Sequence, residues 1–335
     1  MRRRNRYSVP EYVAGIVKND RQILSQAVTL VESTLPEDQR LAEELVEGIL
    51  SFTGNSLRIG ISGVPGVGKS TFIDRFGQLL VERGYRVAVL TVDPSSEDRK
   101  GSILGDKTRM ETLSTSPYVF IRPSPSSGIL GGVSAKTRES SLLCEAAGYN
   151  MILIETIGVG QSETAVKGMV DFFLLLALAG AGDELQGIKK GIMEMADLIV
   201  INKADGENQK AVERTKGQLL EALHFFPKKE NGWITEVSTC SSLMGVGMES
   251  IWHTIEAFEE KMKINGFFYK NRALQRVHWM KEQIHLLLEV GFYSDKKMSE
   301  EIDQTKSLVQ KGSKSALAAA RELVEKYLYL NSKKE

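Results

Sequence analysis

The chain has 335 residues, and its 43 Lys and Arg residues are balanced by 43 Asp and Glu residues. This balance argues against a nucleic-acid binder that relies mainly on phosphate neutralisation. No apolar run reaches the ~20 residues that a membrane-spanning helix needs, and no membrane partner is expected. Two cysteines, Cys144 and Cys240, are too few for a disulfide framework and suit a reducing cytoplasm.

The spacing of apolar residues divides the chain into three regions. Residues 1–54 read as a helical N-terminal region, with Pro36 in the first turn of its third helix. Residues 55–266 alternate short apolar runs with helical stretches, which predicts an α/β fold with a mostly parallel sheet covered on both faces. Residues 267–335 are helical again and can pack on their own domain or on a second copy. The predicted strands are 57–62, 86–92, 118–121, 150–155, 172–178, 198–202 and 233–237.

The segment GVPGVGKS, Gly63 to Ser70, fits the pattern GxxxxGK[ST] between a predicted strand and a predicted helix. Its glycines allow backbone N–H groups to face a polyphosphate, and the helix that follows directs its positive dipole end at the same place. Lys69 would add charge at the β- and γ-phosphates, and the Ser70 hydroxyl would ligate Mg²⁺. The pattern predicts a P-loop nucleotide site made by Gly63, Val64, Pro65, Gly66, Val67, Gly68, Lys69, Ser70 and Thr71.

The motif NKAD, Asn202 to Asp205, directly follows the strand LIVIN and indicates guanine. A carboxylate at Asp205 can accept from both N1–H and the 2-amino group of guanine, and adenine lacks this donor pair. A site built around such hydrogen bonds can discriminate by ~10⁴–10⁵. Lys203 would lie along the base, and Asn202 would brace the neighbouring loops. Backbone N–H groups of Ser241, Ser242 and Leu243 would face the guanine O6, so the expected ligand is GTP or GDP.

Three acidic residues are expected where the strand ends converge, and Mg²⁺ prefers such oxygen ligands. They are Asp93, Asp106 and Glu155, which would act with Ser70, although an acidic residue at a strand end is often only a turn former or helix cap. Gly158 could donate its N–H to the γ-phosphate. Gln161 could orient water or serve only as a structural contact.

Six motifs then resemble one family when they are taken in order. They are VDPSS (92–96), ILGDKTRM (103–110), RPSPSSGILGGV (122–133), ETIGVGQSE (155–163), LAGAGDELQGIKKGI (178–192) and NKAD. Together they are similar to the MeaB/ArgK family, the G-protein metallochaperones of adenosylcobalamin-dependent acyl-CoA mutases, chiefly methylmalonyl-CoA mutase. The resemblance implies a SIMIBI-class GTPase domain and a homodimer formed through the C-terminal arm. It also implies GTP hydrolysis that gates adenosylcobalamin delivery, with the cofactor held by the partner mutase.

The same resemblance gives the loop 180–191 the role of a third switch. In the complex with the mutase, Lys189 or its neighbour Lys190 would move toward the phosphates, and Asp183 would help to hold it. An activating cation of this kind can contribute ~10³–10⁵ in rate. Arg109 is a second candidate for that role. The alternative is a solvated surface loop whose lysines have no catalytic role.

Other functions remain as alternatives. A nickel-delivery GTPase would need clustered His or Cys ligands, and the sequence does not group its histidines in this way. An older transport-linked nucleotidase label for such sequences conflicts with NKAD. A third alternative is a non-catalytic module in which the nucleotide only locks a dimer. The four histidines that a nickel site would have to use, and that are not clustered in the sequence, are His224, His253, His278 and His285.

Overall fold

The computed structural model describes residues 6–92, 110–123, 130–156, 162–180 and 190–332. The chain separates into two compact units, Met1–Gln275 and Arg276–Glu335. The first unit contains the N-terminal helices and the whole sheet, and the second is helical.

The described part of the first unit is organised around a seven-stranded sheet in the order β3-β2-β4-β1-β5-β6-β7. Every pairing between neighbouring strands is parallel, which confirms the α/β expectation. Parallel strands place all of their carboxyl ends at one edge of the sheet. The strands are β1 Leu57–Gly63, β2 Val87–Val92, β3 Val119–Pro123, β4 Met151–Thr156, β5 Phe172–Leu178, β6 Leu198–Asn202 and β7 Glu236–Thr239.

The last strand differs from its prediction, because β7 begins at Glu236 whereas 233–237 was expected. Trp233 instead lies in the preceding loop, where its indole Nε1 donates to the Asp197 carbonyl at 2.9 Å. Its ring packs edge-on against Phe258, with centroids 5.1 Å apart. Ile234 is exposed, so these two apolar residues do not form the core face of a strand. The predicted start of this strand was wrong, because Trp233 is buried by contacts made from a loop.

The N-terminal helices precede the sheet as the apolar spacing predicts. They are α1 Val9–Val17, α2 Arg21–Val31 and α3 Pro36–Ile49. Pro36 occupies the first turn of α3, where a missing N–H costs nothing. The Asp20 side chain caps α2 by accepting from the backbone N–H groups of Gln22 and Ile23.

Helices cover both faces of the sheet, so its strands are buried along nearly their whole length. The core beside β1 includes Phe72, Phe76 and Trp252, all fully buried. In the described ranges, no helix combines the length and apolar character that crossing a membrane requires. The helices are α4 Lys69–Glu82, α5 Glu111–Ser114, α6 Leu130–Ala146, α7 Ser162–Lys167, α8 Lys190–Met195, α9 Gln209–His224 and α10 Met248–Ile264.

The helices after α10 are α11 Phe267–Ser294, α12 Lys296–Gln310 and α13 Ala316–Ser332. The first turns of α11 belong to the first unit, and Arg272 there is buried. Its guanidinium donates to both oxygens of Asp171, at 2.8 and 2.6 Å, and to the Gly54 carbonyl at 2.9 Å. This fork fastens the start of α11 to the amino edge of the sheet.

Candidate nucleotide site

The P-loop connects β1 to α4 at the carboxyl edge of the sheet. Glu155 lies near the end of β4, and Asn202 is the last residue of β6, so the same edge carries all of these residues. The structure therefore brings together the phosphate-binding pattern and NKAD, which are far apart in the sequence.

Two glycines of the P-loop are required by close approach. A Cβ at Gly63 would lie 2.6 Å from the Leu176 carbonyl oxygen of β5. At Gly68, where φ is +97°, a Cβ would lie 2.8 Å from Nδ2 of Asn202. Side chains at these positions would displace the loop from the strands that support it.

Lys69 begins α4, and its ammonium turns back to the loop. Nζ donates to the Gly63 carbonyl at 2.7 Å and to the Val64 carbonyl at 3.4 Å. Burial lowers the pKa of Lys69, while the charges of Glu155 and Glu163 act in the opposite direction. A partly desolvated cation of this kind interacts more strongly with phosphate than a fully hydrated one.

The Ser70 hydroxyl donates to Oε1 of Glu155 at 3.4 Å, a long hydrogen bond. Glu155 is buried, so hydroxyl and carboxylate oxygens meet at a protected place beside the P-loop. These hard oxygen donors fit Mg²⁺, which usually takes one or two protein ligands in addition to phosphates and waters. Asp93 and Asp106, the other two predicted acids, lie outside the described residues. Within the described ranges, no three His, Cys, Asp or Glu residues are grouped to hold a metal.

Asn202 connects three segments of the site. Its Nδ2 donates to the Val67 carbonyl at 2.8 Å. Its Oδ1 accepts from the Ser242 backbone N–H at 3.1 Å and from the Ser242 hydroxyl at 2.8 Å. The Cys240 thiol also lies 3.3 Å from this oxygen. The end of β6, the P-loop and the loop after β7 are thus joined by one buried side chain.

The carboxylate of Asp205 accepts a hydrogen bond from the Ser241 hydroxyl. The same hydroxyl accepts from the Met244 backbone N–H at 3.2 Å. Lys203 adopts a left-handed conformation, with φ of +59°, and its Nζ donates to the Gly66 carbonyl at 2.9 Å. These contacts hold the NKAD carboxylate beside the loop of Ser241, Ser242 and Leu243, as a guanine site requires.

Cys240 has the unreactive environment expected of a small buried side chain. Its thiol is almost fully buried, and this burial raises the pKa of Cys240 to about 12. A nearby Asp205 charge acts in the same direction. The thiol is therefore protonated at neutral pH and contributes packing to the Asn202 contacts.

Several predicted residues lie outside the described part of the chain, and the structure does not place them. They are Asp93, Asp106, Arg109, Gly158, Gln161, Asp183 and Lys189. Lys190 is described at the first position of α8, where its Nζ lies 5.9 Å from the centroid of the Phe226 ring. This contact engages Lys190 with an aromatic face.

Glu163 is a buried acidic residue that the sequence reasoning did not select. It lies in the first turn of α7, is 1% exposed, and its charge, like that of Glu155, opposes the lowering of the Lys69 pKa by burial. Its signal in the sequence is its place as the last residue of ETIGVGQSE. A second carboxylate therefore contributes to the electrostatic environment of the P-loop lysine.

Two cavities lie away from this site, beside the amino end of β6. Their volumes are about 310 and 640 Å³, and both are lined by Glu194, Pro227, Lys228 and Lys229. Asp197, which precedes β6, accepts from Lys229 at 2.8 Å and from Lys167 at 2.7 Å. This ion-pair cluster stabilises the amino edge of the sheet and is not part of the nucleotide site.

Comparisons with known proteins agree with this geometry. The protein named "GTPase ArgK" in Escherichia coli is 45% identical over 96% of this chain and 97% of its own length. A "Putative GTPase" from Caulobacter vibrioides is 50% identical over 92% of this chain and 94% of its own. The mouse "Methylmalonic aciduria type A homolog, mitochondrial" is 42% identical over 95% of this chain and 79% of its own.

A solved structure described as a LAO/AO transport system kinase superposes with a TM-score of 0.77 and 38% identity. The match covers 97% of this chain and 99% of the chain of the solved structure. The family model for the methylmalonyl-CoA mutase-associated GTPase MeaB matches residues 24–296. This match spans most of the chain, including the P-loop, NKAD and the loop after β7. The chain therefore belongs to the MeaB family of P-loop GTPases.

Proposed function

We propose that this protein binds and hydrolyses GTP, and that its GTPase cycle serves as a chaperone for an adenosylcobalamin-dependent acyl-CoA mutase. The observation that carries the GTPase assignment is the set of hydrogen bonds made by Asn202, which we call the Asn202 hub. Asn202 is the first residue of NKAD, and these bonds join it to the P-loop and to the loop after β7. Asp205, which Ser241 holds, is the proposed acceptor for N1–H and the 2-amino group of guanine. Support for the guanine preference comes from this carboxylate, since adenine offers it no matching pair of donors.

The proposed chemistry assigns a role to each group at the carboxyl edge. Backbone N–H groups from Gly63 to Thr71 would hold the phosphates, and Lys69 would neutralise charge on them. Ser70, Glu155, Asp93 and Asp106 are the proposed metal shell. Bound Mg²⁺ would supply neutralisation of the charge that develops on the β- and γ-phosphate oxygens.

The proposed switch residues belong to the second part of the mechanism. Gly158 would donate its N–H to the γ-phosphate, and Gln161 would orient the attacking water. Lys189, with Asp183 holding it, would stabilise transition-state charge when the mutase is bound, and Arg109 is a second candidate. Lys190 is the weaker of the two neighbouring lysines, because its ammonium lies over Phe226.

The proposed partner is methylmalonyl-CoA mutase or a close relative, in line with the names of the family and of the mouse relative. Adenosylcobalamin would be held by the mutase, and GTP hydrolysis would gate its delivery and protect the mutase. The proposed domains are the N-terminal region 1–54, the GTPase domain 55–266 and a dimerisation arm of residues 267–335. Val277, Met280, Ile284 and Leu287 are exposed apolar residues on the arm. The proposed location is the cytoplasm.

Two measurements test this function. Isothermal titration calorimetry with Mg²⁺ should show a strong preference for a non-hydrolysable GTP analogue over the matching ATP analogue. Phosphate release from GTP should then rise when purified methylmalonyl-CoA mutase is added. Equal affinity for the two analogues would refute the guanine assignment, and unchanged hydrolysis would refute the mutase partnership. A steady turnover of GTP would also exclude a module in which the nucleotide only locks a dimer.

A further inference from the structure

Two hydroxyl side chains connect the strand that enters the P-loop with the strand that carries Glu155. Oγ1 of Thr156 donates to Oγ of Ser62 at 3.0 Å. Ser62 immediately precedes Gly63, the first glycine of the P-loop, and Thr156 immediately follows Glu155. Thr156 is 0% exposed and Ser62 is 1% exposed, so solvent does not compete for the bond.

The position of this bond follows from the register of the sheet. Ile61 pairs with Glu155 in the parallel β1–β4 ladder, so Ser62 and Thr156 come one step later in each strand. Alternate side chains of a strand point to opposite faces. Gly60 lies on the same face of β1 as Ser62, and a Cβ at Gly60 would contact Val166 of α7. The face of the sheet that carries the hydroxyl bond is therefore the face covered by α7.

The end of β4 therefore contacts the P-loop at both of its ends. Thr156 bonds to Ser62, just before the loop, on one face of the sheet. Glu155 accepts from Ser70, at the end of the GVPGVGKS pattern, on the other face. Consecutive residues make the two contacts, so the Thr156 hydroxyl bond lies one residue from the carboxylate that accepts from Ser70.

The hydroxyl bond lies one step beyond the last β1–β4 backbone pair, Ile61–Glu155. Past this point β1 continues beside β5 through the pairs Ser62–Leu175 and Gly63–Leu176, and Thr156 pairs through its backbone with Val92 of β2. The side-chain bond thus extends the link between β1 and β4 to the start of the loop. A buried valine would pack in the same space, so a hydroxyl pair here is not required by packing alone.

We propose that Thr156 is a positioning residue for GTP hydrolysis: its bond to Ser62 holds the end of β4 against the P-loop, so that Glu155 stays in place at Ser70. The proposal rests on the proposed GTPase function and adds a residue to it. Glu155 belongs to the proposed metal shell, and Gly158 and Gln161 follow Thr156 closely in the sequence. The bond should therefore affect turnover and metal-dependent binding, while binding of GDP without metal depends on the P-loop and NKAD.

The experiment compares Thr156→Val, which removes the hydroxyl and keeps the branched shape, with Thr156→Ser, which keeps the hydroxyl. We expect kcat of Thr156→Val to fall about 3- to 10-fold, the effect of losing one hydrogen bond from the arrangement that reacts. The Mg²⁺ concentration needed for tight binding of a fluorescent non-hydrolysable GTP analogue should rise by a similar factor. The Kd of GDP without Mg²⁺ should change less than about 2-fold, and Thr156→Ser should restore both quantities.

Thr235→Val is the matched control, because the Thr235 hydroxyl donates to the Ala196 carbonyl at 2.8 Å, before β6 and β7 at the amino edge of the sheet and therefore away from the site. It should lower thermal stability without changing kcat. Where Thr156→Val does not fold, Ser62→Ala removes the acceptor of the same bond and carries the same expectation for kcat and Mg²⁺. In the double variant, the second substitution should add little to the first.

A lower melting temperature with unchanged kcat and Mg²⁺ dependence would overturn the proposal, since the bond would then be only structural. Failure of Thr156→Ser to restore turnover would also overturn it. The wild-type protein is measured first, because absence of GTP hydrolysis or of guanine preference there would refute the proposed function itself. A normal wild-type protein with an unaffected Thr156→Val would refute only the role of Thr156.

Discussion

Nδ2 of Asn202 lies 2.8 Å from the Val67 carbonyl, which joins the end of β6 to the P-loop across 135 residues of sequence. The other atom of the same amide, Oδ1, accepts two hydrogen bonds from Ser242. Asparagine suits this place because a single side chain supplies both donors and an acceptor. The phosphate side and the base side of the site are thus held in one fixed relation.

Asn202→Ala should weaken GDP binding by about 10- to 100-fold. The change removes the link to Val67 and leaves the buried Ser242 donors without their acceptor, at about 1 kcal/mol for each bond. Titration with a fluorescent GDP analogue measures the affinity. Asn265→Ala, beyond the end of α10, is the control and should bind GDP normally. Equal affinities for the two variants would show that the hub does not organise the site.

Much of this arrangement could be predicted from the sequence, because the relevant signals are local. The order of apolar runs and helices predicted the parallel sheet, and parallel strands place the P-loop and NKAD at one edge. The start of β7 could not be predicted in this way, since Trp233 is buried through a loop contact with Asp197. An apolar residue reports burial, and it does not report the backbone conformation that achieves burial.

Contacts between side chains on different strands were less accessible from the sequence. Thr156 and Ser62 are 94 residues apart, and neither hydroxyl is unusual in its own segment. Their meeting depends on the β1–β4 register, which the hydrophobic pattern of two fully buried strands leaves open. Glu163 was missed for a different reason. A glutamate at the start of a helix usually indicates only a favourable interaction with the helix dipole.

Asp205→Asn should lower the affinity for GTP by about 10- to 100-fold. An amide has one acceptor oxygen in place of two, and its NH₂ group would face a donor of guanine. Xanthosine triphosphate carries a carbonyl in place of the 2-amino group, so the variant should prefer it over GTP. Competition binding with the two nucleotides measures this preference, and Asp303→Asn on the exposed side of α12 is the control. A variant that still prefers GTP would argue against Asp205 as the base-reading residue.

The two lysines of the third-switch motif should respond differently to substitution. Lys189→Ala should bind GTP normally and lose the stimulation by the mutase, which an activating cation would supply. Lys190→Ala should retain most of it, because the Lys190 ammonium lies over the Phe226 ring at 5.9 Å. Phosphate release with and without purified methylmalonyl-CoA mutase separates the two. Full stimulation of Lys189→Ala would contradict the proposed role of Lys189. Loss of stimulation only in Lys190→Ala would assign that role to Lys190.

Glu139 should make stability depend on pH. Burial in α6 raises the pKa of Glu139 to about 7, with Lys136 and Arg138 opposing the shift and Glu43 adding to it. The folded state therefore binds a proton that the unfolded state releases between about pH 4.5 and 7, so this contribution to stability is lost as pH rises through that window. The full change is about 3 kcal/mol.

Glu139→Gln removes this ionisation and keeps the side-chain size. The difference in free energy of unfolding between the variant and the wild type should therefore grow in favour of the variant from pH 5 to pH 8. Urea denaturation at several pH values measures the difference. Glu44→Gln, at an exposed position of α3, should show no such growth. A constant difference for Glu139→Gln would mean that its carboxyl group titrates alike in the folded and unfolded chain.

Arg272→Met should destabilise the first unit by about 3–5 kcal/mol, because it leaves the buried Asp171 carboxylate without its cation. The Arg272 guanidinium donates to Asp171 and lies 3.9 Å from Glu145, which also accepts two bonds from Arg58. Arg276→Met, one turn later on the exposed side of α11, should cost much less. In a double-mutant cycle, adding Asp171→Asn should cost less in the Arg272→Met background than in the wild type, because the unpaired charge is then removed. Full additivity of the two substitutions, measured by urea denaturation, would show that this ion pair does not fasten α11 to the sheet.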